Sequence, residues 1–239
     1  MRYILVLFIL YFFNLAAYAQ PKFESSNHYS FEVPSRWAAI PSPLLAAKLK
    51  DMKLQDNSYE AAFQLLANNQ SDILKYPYVL VQFFPARQDM DTIPFERLVL
   101  QTAKSLREEL ANYDPSKVDS GKVLLISAAD PVVDSANRCI SRKLVVRVSL
   151  KENVQCIKRI CFGRFGIVTL QSFVLSDGPD ANKKDVDRLF ASFSFADQYQ
   201  KAHVKAGSPG SSKRWGWWKL AVALGISVVV FFIVKTFSK

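Results

Sequence analysis

Residues 138–175 read RCISRKLVVRVSLKENVQCIKRICFGRFGIVTLQSFVL, a run whose alternation predicts two or three antiparallel strands side by side. Leu144, Val146, Val148 and Leu150 alternate with Lys143, Val145, Arg147 and Ser149, the period of two that gives a strand one apolar face. Lys151, Glu152 and Asn153 are polar enough to reverse the chain, and a second apolar strand follows Gly163 and Gly166 across residues 167–175. The run also holds eight bases against one acid, a local charge of +7. It is therefore expected to supply both the middle of the core and the most charged outer surface.

Outward from this run the chain reads as alternating short elements. Residues 29–42, YSFEVPSRWAAIPS, make a strand entering a turn at Pro34, with Trp37 packed over the first layer. Ser42 and Pro43 open a short helix as N-cap and first helical residue, with Leu45, Leu49 and Met52 on one side. Tyr59, Ala61, Phe63 and Leu65 alternate with Glu60, Ala62, Gln64 and Leu66 as a half-buried strand. Residues 76–84, YPYVLVQFF, are apolar on both faces and predict a central strand. From Pro94, residues Phe95, Leu98, Val99, Ala103, Leu106 and Leu110 form one helical stripe opposite Arg107, Glu108 and Glu109. A short strand is expected over residues 123–126. After the break at residues 176–179, Val186, Leu189, Phe190 and Phe193 anchor a last helix. A largely antiparallel sheet with helices on both faces buries every one of these stripes, which gives an α+β class and an α/β/α sandwich.

Both ends read differently. Residues 1–19 begin with Arg2, run apolar from Ile4 to Leu15 and close on Ala17-Tyr18-Ala19, the pattern of a cleaved secretory signal peptide. The competing reading is an uncleaved anchor. Residues 220–234 carry no charge, but fifteen residues rise only about 22 Å as a helix, short of a roughly 30 Å hydrocarbon core. Trp215, Trp217, Trp218 and Lys219 on one side and Thr236 and Phe237 on the other extend it to a transmembrane helix over residues 215–237. The expected organisation is a signal peptide (1–19), an extracytoplasmic domain (20–200), a Gly/Ser/Pro-rich tether (201–214), the anchor (215–237) and a short cytoplasmic tail (238–239). Lys213, Arg214 and Lys219 on the outer side run against the positive-inside rule; export by the signal is taken to set the orientation. The expected location is thus a single-pass membrane protein with its domain on the periplasmic or extracellular side.

The opening YSFEVPSRW (residues 29–37), the long helix before an antiparallel meander, and the closing DVDRLFASFSF (residues 185–195) resemble the PsbP-like α/β/α sandwich family over residues 27–196. That family includes the extrinsic lumenal protein of the photosystem II oxygen-evolving complex and bacterial exported domains. Its members are generally binding or assembly proteins, so the resemblance implies a non-catalytic role and supplies no catalytic signature. The membrane anchor and the lack of a visible metal cluster depart from the plant members, so a role in photosynthesis is not implied.

Motifs for chemistry are sparse. His28 precedes the first strand and His203 sits in the tether, neither placed as a general base. There is no HExxH, no GxSxG and no phosphate-cradling glycine loop, and Glu108-Glu109 falls on a solvated helix face. No cofactor or metal is expected. Three cysteines in an exported domain suggest one disulfide and one leftover thiol. Cys156 with Cys161 needs a turn at Lys158-Arg159, because on one straight strand they lie roughly 16 Å apart on opposite faces. Cys139 with Cys161 needs neighbouring strands in a suitable register. A redox pair or metal site lacks both the CxxC spacing and a nearby histidine.

Residues 1–19 and 213–239 carry six of the 31 bases and none of the 21 acids, which leaves +4 for the segment between them. An exported domain seldom meets nucleic acid, so the expected partners are the bilayer, an anionic lipid surface or an acidic membrane protein. Arg138, Arg142, Lys143, Arg147, Arg159 and Arg164 are the candidate partner-binding residues. The bland alternative is a solvated face that also discourages edge pairing. The sequence therefore favours a membrane-anchored binding or assembly domain; the alternatives are a thiol-redox or hydrolytic envelope enzyme and a plain lipid-surface binder.

Overall fold

The computed structural model describes residues 21–51, 58–66, 73–111, 124–148 and 152–196. The expected signal peptide, tether, anchor and tail lie outside the described residues. Among the described residues no helix is long and apolar enough to cross a membrane.

Eleven strands are described: β1 (Lys22–Glu24), β2 (Tyr29–Glu32), β3 (Trp37–Ala39), β4 (Tyr59–Leu65), β5 (Tyr78–Pro85), β6 (Leu124–Ala128), β7 (Val132–Asp134), β8 (Cys139–Arg147), β9 (Asn153–Phe162), β10 (Gly166–Leu175) and β11 (Ser194–Phe195). The helices are α1 (Ser42–Asp51), α2 (Phe95–Ala111) and α3 (Asp180–Ala191), with a 3-10 turn at Met90–Thr92. The large sheet runs β3-β4-β5-β10-β9-β8-β6, with β7 continuing the β6 edge along β8. A small sheet, β1-β2-β11, lies apart from it, and the pairings in both sheets are antiparallel.

The run at 138–175 forms the three neighbouring strands β8, β9 and β10. Residues Gly166–Val174 of β10 are all buried, since this strand lies mid-sheet and is covered on both faces. Val168, Leu170 and Val174 point into one core with Val186, Leu189 and Phe190 of α3. Phe173 points the other way, into a cluster with Leu45 and Leu49 of α1. Ile167 shares that second face with Leu98 and Leu106 of α2. Two helices on one face and one helix with the small sheet on the other give the α/β/α layering.

Local boundaries differ from expectation for physical reasons. β4 is not half-buried: Ala61, Ala62, Phe63 and Gln64 are all buried, because α1 covers one face and β2 with Trp37 the other. β5 begins at Tyr78, after Pro77, which has no N–H for a ladder. Phe193 lies beyond α3, which ends with the Ser192 N–H bonded to the Arg188 carbonyl, yet its ring stays in the α3-side core. The sequence reading contains neither β1 nor β7, each three residues long and too short for alternation to register.

The two terminal motifs meet. β2 pairs with β11, the Glu32 N–H donates to Ser192 Oγ, and Tyr29 packs 5.7 Å from Phe193. Buried Asp185 accepts from Trp37 Nε1 at 3.0 Å and from Arg36 at 2.6 Å. Residues more than 140 positions apart thus close one core.

Candidate functional site

The six basic residues do not form one stripe. β8 and β9 alternate, so Lys143, Arg147 and Arg159 face the α3 side while Arg142 faces α1 and α2. Arg142 is 7% exposed and donates to the Leu106 carbonyl of α2, so it is a core residue and not a surface one. Arg138 sits in the turn before β8 with φ of 51° and pairs with Asp91 at 2.9 Å, both side chains close to buried. Arg159 pairs with Asp134 of β7 at 2.7 Å, and Arg164 with Asp89 at 2.8 Å. These pairings consume charge that the sequence assigned to an outer surface; burying a cation requires a partner. Lys143 and Arg147 are left exposed, and among the described residues neither has an acidic partner.

Coverage on the α3 side falls off across the sheet. β10 is fully covered, Gln155, Ile157 and Arg159 of β9 are half-buried, and Lys143 and Arg147 of β8 are exposed. On the β6–β7 edge Leu124 is 46% and Val132 68% exposed. The register places Leu124 opposite Arg147 and Val132 opposite Ser141, on this same face. The result is an open quarter of sheet that mixes apolar side chains with two exposed cations, of which Arg147 donates from Nε to Asn153 Oδ1 at 3.3 Å. Asp134 marks its boundary. Burial pushes its carboxyl up, but hydrogen bonds from the Asn137 side chain and backbone and the Arg159 guanidinium outweigh that and hold it below the usual carboxylate range.

The cysteine alternatives resolve by register. Cys139 of β8 lies directly opposite Cys161 of β9, their Cα atoms 4.1 Å apart, and the two are disulfide-bonded in the α3-side core. Cys156 points to the opposite face of β9, among Leu80, Val146 and Phe173. It is a free thiol, 4% exposed, and burial pushes its pKa up.

At one end of the sandwich the β1–β2 and β9–β10 turns border a half-open pocket of about 210 Å³. Its walls include the rings of Phe83, Phe165 and Phe195, with Asn27, His28 and Arg164 among its polar lining. Two glycines let the rings lie directly on the β9–β10 turn: a Cβ on Gly163 would stand 2.6 Å from Phe195, and one on Gly166 2.4 Å from Phe83. Asn27 is positioned by Glu60, which also accepts from Ser25 and, at 2.6 Å, from Tyr29. Burial, then the Glu60 carboxylate, pushes the Tyr29 phenol far up, so it stays a donor. The sequence reading gave His28 no role, because nothing local showed that two turns 135 positions apart adjoin. The only local signal was the GRFG at residues 163–166, a tight turn with an aromatic at its tip.

No family model matches the chain, and no curated protein sequence matches it. Its backbone is similar to the solution structure of cyanobacterial PsbP from Synechocystis sp. PCC 6803, at 14% identity and a TM-score of 0.41, over 74% of this chain and 92% of that one. A crystal structure of LpqN, involved in cell envelope biogenesis of Mycobacterium tuberculosis, is similar at 7% identity and a TM-score of 0.41, over 74% of this chain and 91% of that one. A Bacteroides thetaiotaomicron structure is similar at 11% identity and a TM-score of 0.35 over 77% of this chain, which spans about half (51%) of that protein. Cyanobacterial PsbP is among the solved structures to which this backbone is similar.

Proposed function

We propose that the chain is a non-catalytic extracytoplasmic binding domain, held at a membrane by residues 215–237, that docks on a neighbouring membrane protein. The docking surface is the open α3-side face of β8, β9 and the β6–β7 edge. One observation carries this reading: on the same sheet face where β10 is sealed by α3, Lys143 and Arg147 stand exposed beside Leu124 and Val132. A purely solvated face would favour polar side chains at all four positions, whereas a docking face needs an apolar centre and a charged rim. The thiol-dependent alternative is poorly served, since Cys139 and Cys161 are bonded to each other and Cys156 is sealed in the core.

The test is photo-crosslinking in intact cells from probes at positions 143 and 147, with Lys104 on the outer face of α2 as the control position. A discrete protein adduct from 143 and 147, missing from 104, is the expected outcome and identifies the partner. Lipid adducts alone would replace the protein partner with an anionic membrane surface. No adduct from either position would return the face to simple solvation.

A further inference from the structure

We infer that the pocket between the β1–β2 and β9–β10 turns is a binding site for a small aromatic carboxylate, a ligand of one ring and one acidic group. The size fits: about 210 Å³ exceeds the ~150 Å³ that suffices for a benzene ring and leaves room for a short acidic substituent. The walls fit as well. Phe83 and Phe195 supply ring faces and edges, and Phe165, 47% exposed at the tip of the turn, stands at the mouth as a third ring.

The polar groups define the ligand's other end. Asn27, His28 and Arg164 all lie in the two turns, whereas no carboxylate lines the pocket. Arg164 donates to Asp89 through Nε, and among the described residues nothing else takes its two terminal nitrogens, which leaves them to an incoming carboxylate. The guanidinium already lies 5.0 Å from the Phe165 ring, so cation and aromatic wall are preassembled. Glu60 holds the Asn27 amide through its Nδ2, which fixes one polar wall of the site. Gly163 and Gly166 maintain the volume, since a side chain at either position would drive a phenylalanine ring out of place.

This site is separate from the open face of β8, so it can be tested independently of docking. The probe is phenylacetate, titrated into the full chain in lipid nanodiscs while the backbone amides of Gly163 and Gly166 are followed by NMR. 2-Phenylethanol (ring without acid) and acetate (acid without ring) are the comparison compounds. Saturable shifts at both amides are expected, with a Kd on the order of millimolar for phenylacetate and affinities about tenfold weaker for the other two. Phe165→Ala, at an exposed position, is expected to weaken phenylacetate, and Arg164→Gln to abolish its advantage over 2-phenylethanol. Absence of saturable shifts in the unmodified chain would overturn the inference, as would equal affinity for phenylacetate and 2-phenylethanol.

Discussion

Replacing Cys139 and Cys161 together by alanine probes the pairing that ties β8 to β9. The bond spans 22 positions, and closing a loop of that length in the unfolded chain is worth about 3 kcal/mol in the chain-entropy treatment. Both residues are 0% exposed, so the lost sulfur contacts add to this figure instead of offsetting it. Residues 20–212 contain every described residue and retain Trp37 as their single tryptophan. Trp37 is 3% exposed and bonded to Asp185, so its emission reports directly on the core that the terminal motifs close. With a urea slope of about 2 kcal/mol/M, the loss moves the unfolding midpoint down by about 1.5 M. A shift smaller than about 0.3 M would refute the reasoning. So would a larger loss from Cys156→Ala than from the double variant, since that would place the bond elsewhere.

Asp185→Ala removes the buried acceptor of Trp37 and the partner of Arg36; it should cost about 2 kcal/mol in the same urea assay, most of it from the sheltered Trp37 bond. Asp134 has its folded pKa depressed, so its contribution is present above the unfolded carboxylate value and is lost as pH falls through the lower folded value. Acid titration of stability should therefore flatten below about pH 4 in Asp134→Asn, and an unchanged acid limb would remove Asp134 from the account. Iodoacetamide should leave the native chain unmodified and add one group per chain in urea without reductant, at Cys156, with mass spectrometry as the readout.

What the sequence could show depended on the range of the cause. The β8–β10 run and the stripes of α2 and α3 were legible, because alternation and three-and-four spacing are local consequences of one buried face. Tyr29, Phe31 and Trp37 at one end and Asp185, Leu189 and Phe193 at the other were visible only as motifs. Their contact, and the small sheet it builds, needs the whole fold between them. β4 misled for the opposite reason. Its Glu60 and Gln64 read as solvent-facing, yet Glu60 is held by Tyr29 and Asn27, and Gln64 accepts from the Leu74 N–H inside the core.

Charge was the least legible property, and the cause is specific. Arg138, Arg142, Arg159 and Arg164 find their partners at Asp91, Leu106, Asp134 and Asp89, between 25 and 75 positions away. No window on the sequence includes both members of those pairs, so a local charge count assigns to solvent what the fold uses internally. The consequence bears on docking. A surface of six free cations would attract an acidic partner mainly through long-range charge and would release it steeply as salt rises. In the docking proposed above, Lys143 and Arg147 beside Leu124 and Val132 would instead put most of the contact into apolar burial, with two charges setting orientation. Crosslinking from position 143 should therefore persist at salt concentrations that screen exposed ion pairs, and its collapse there would restore electrostatics as the principal force.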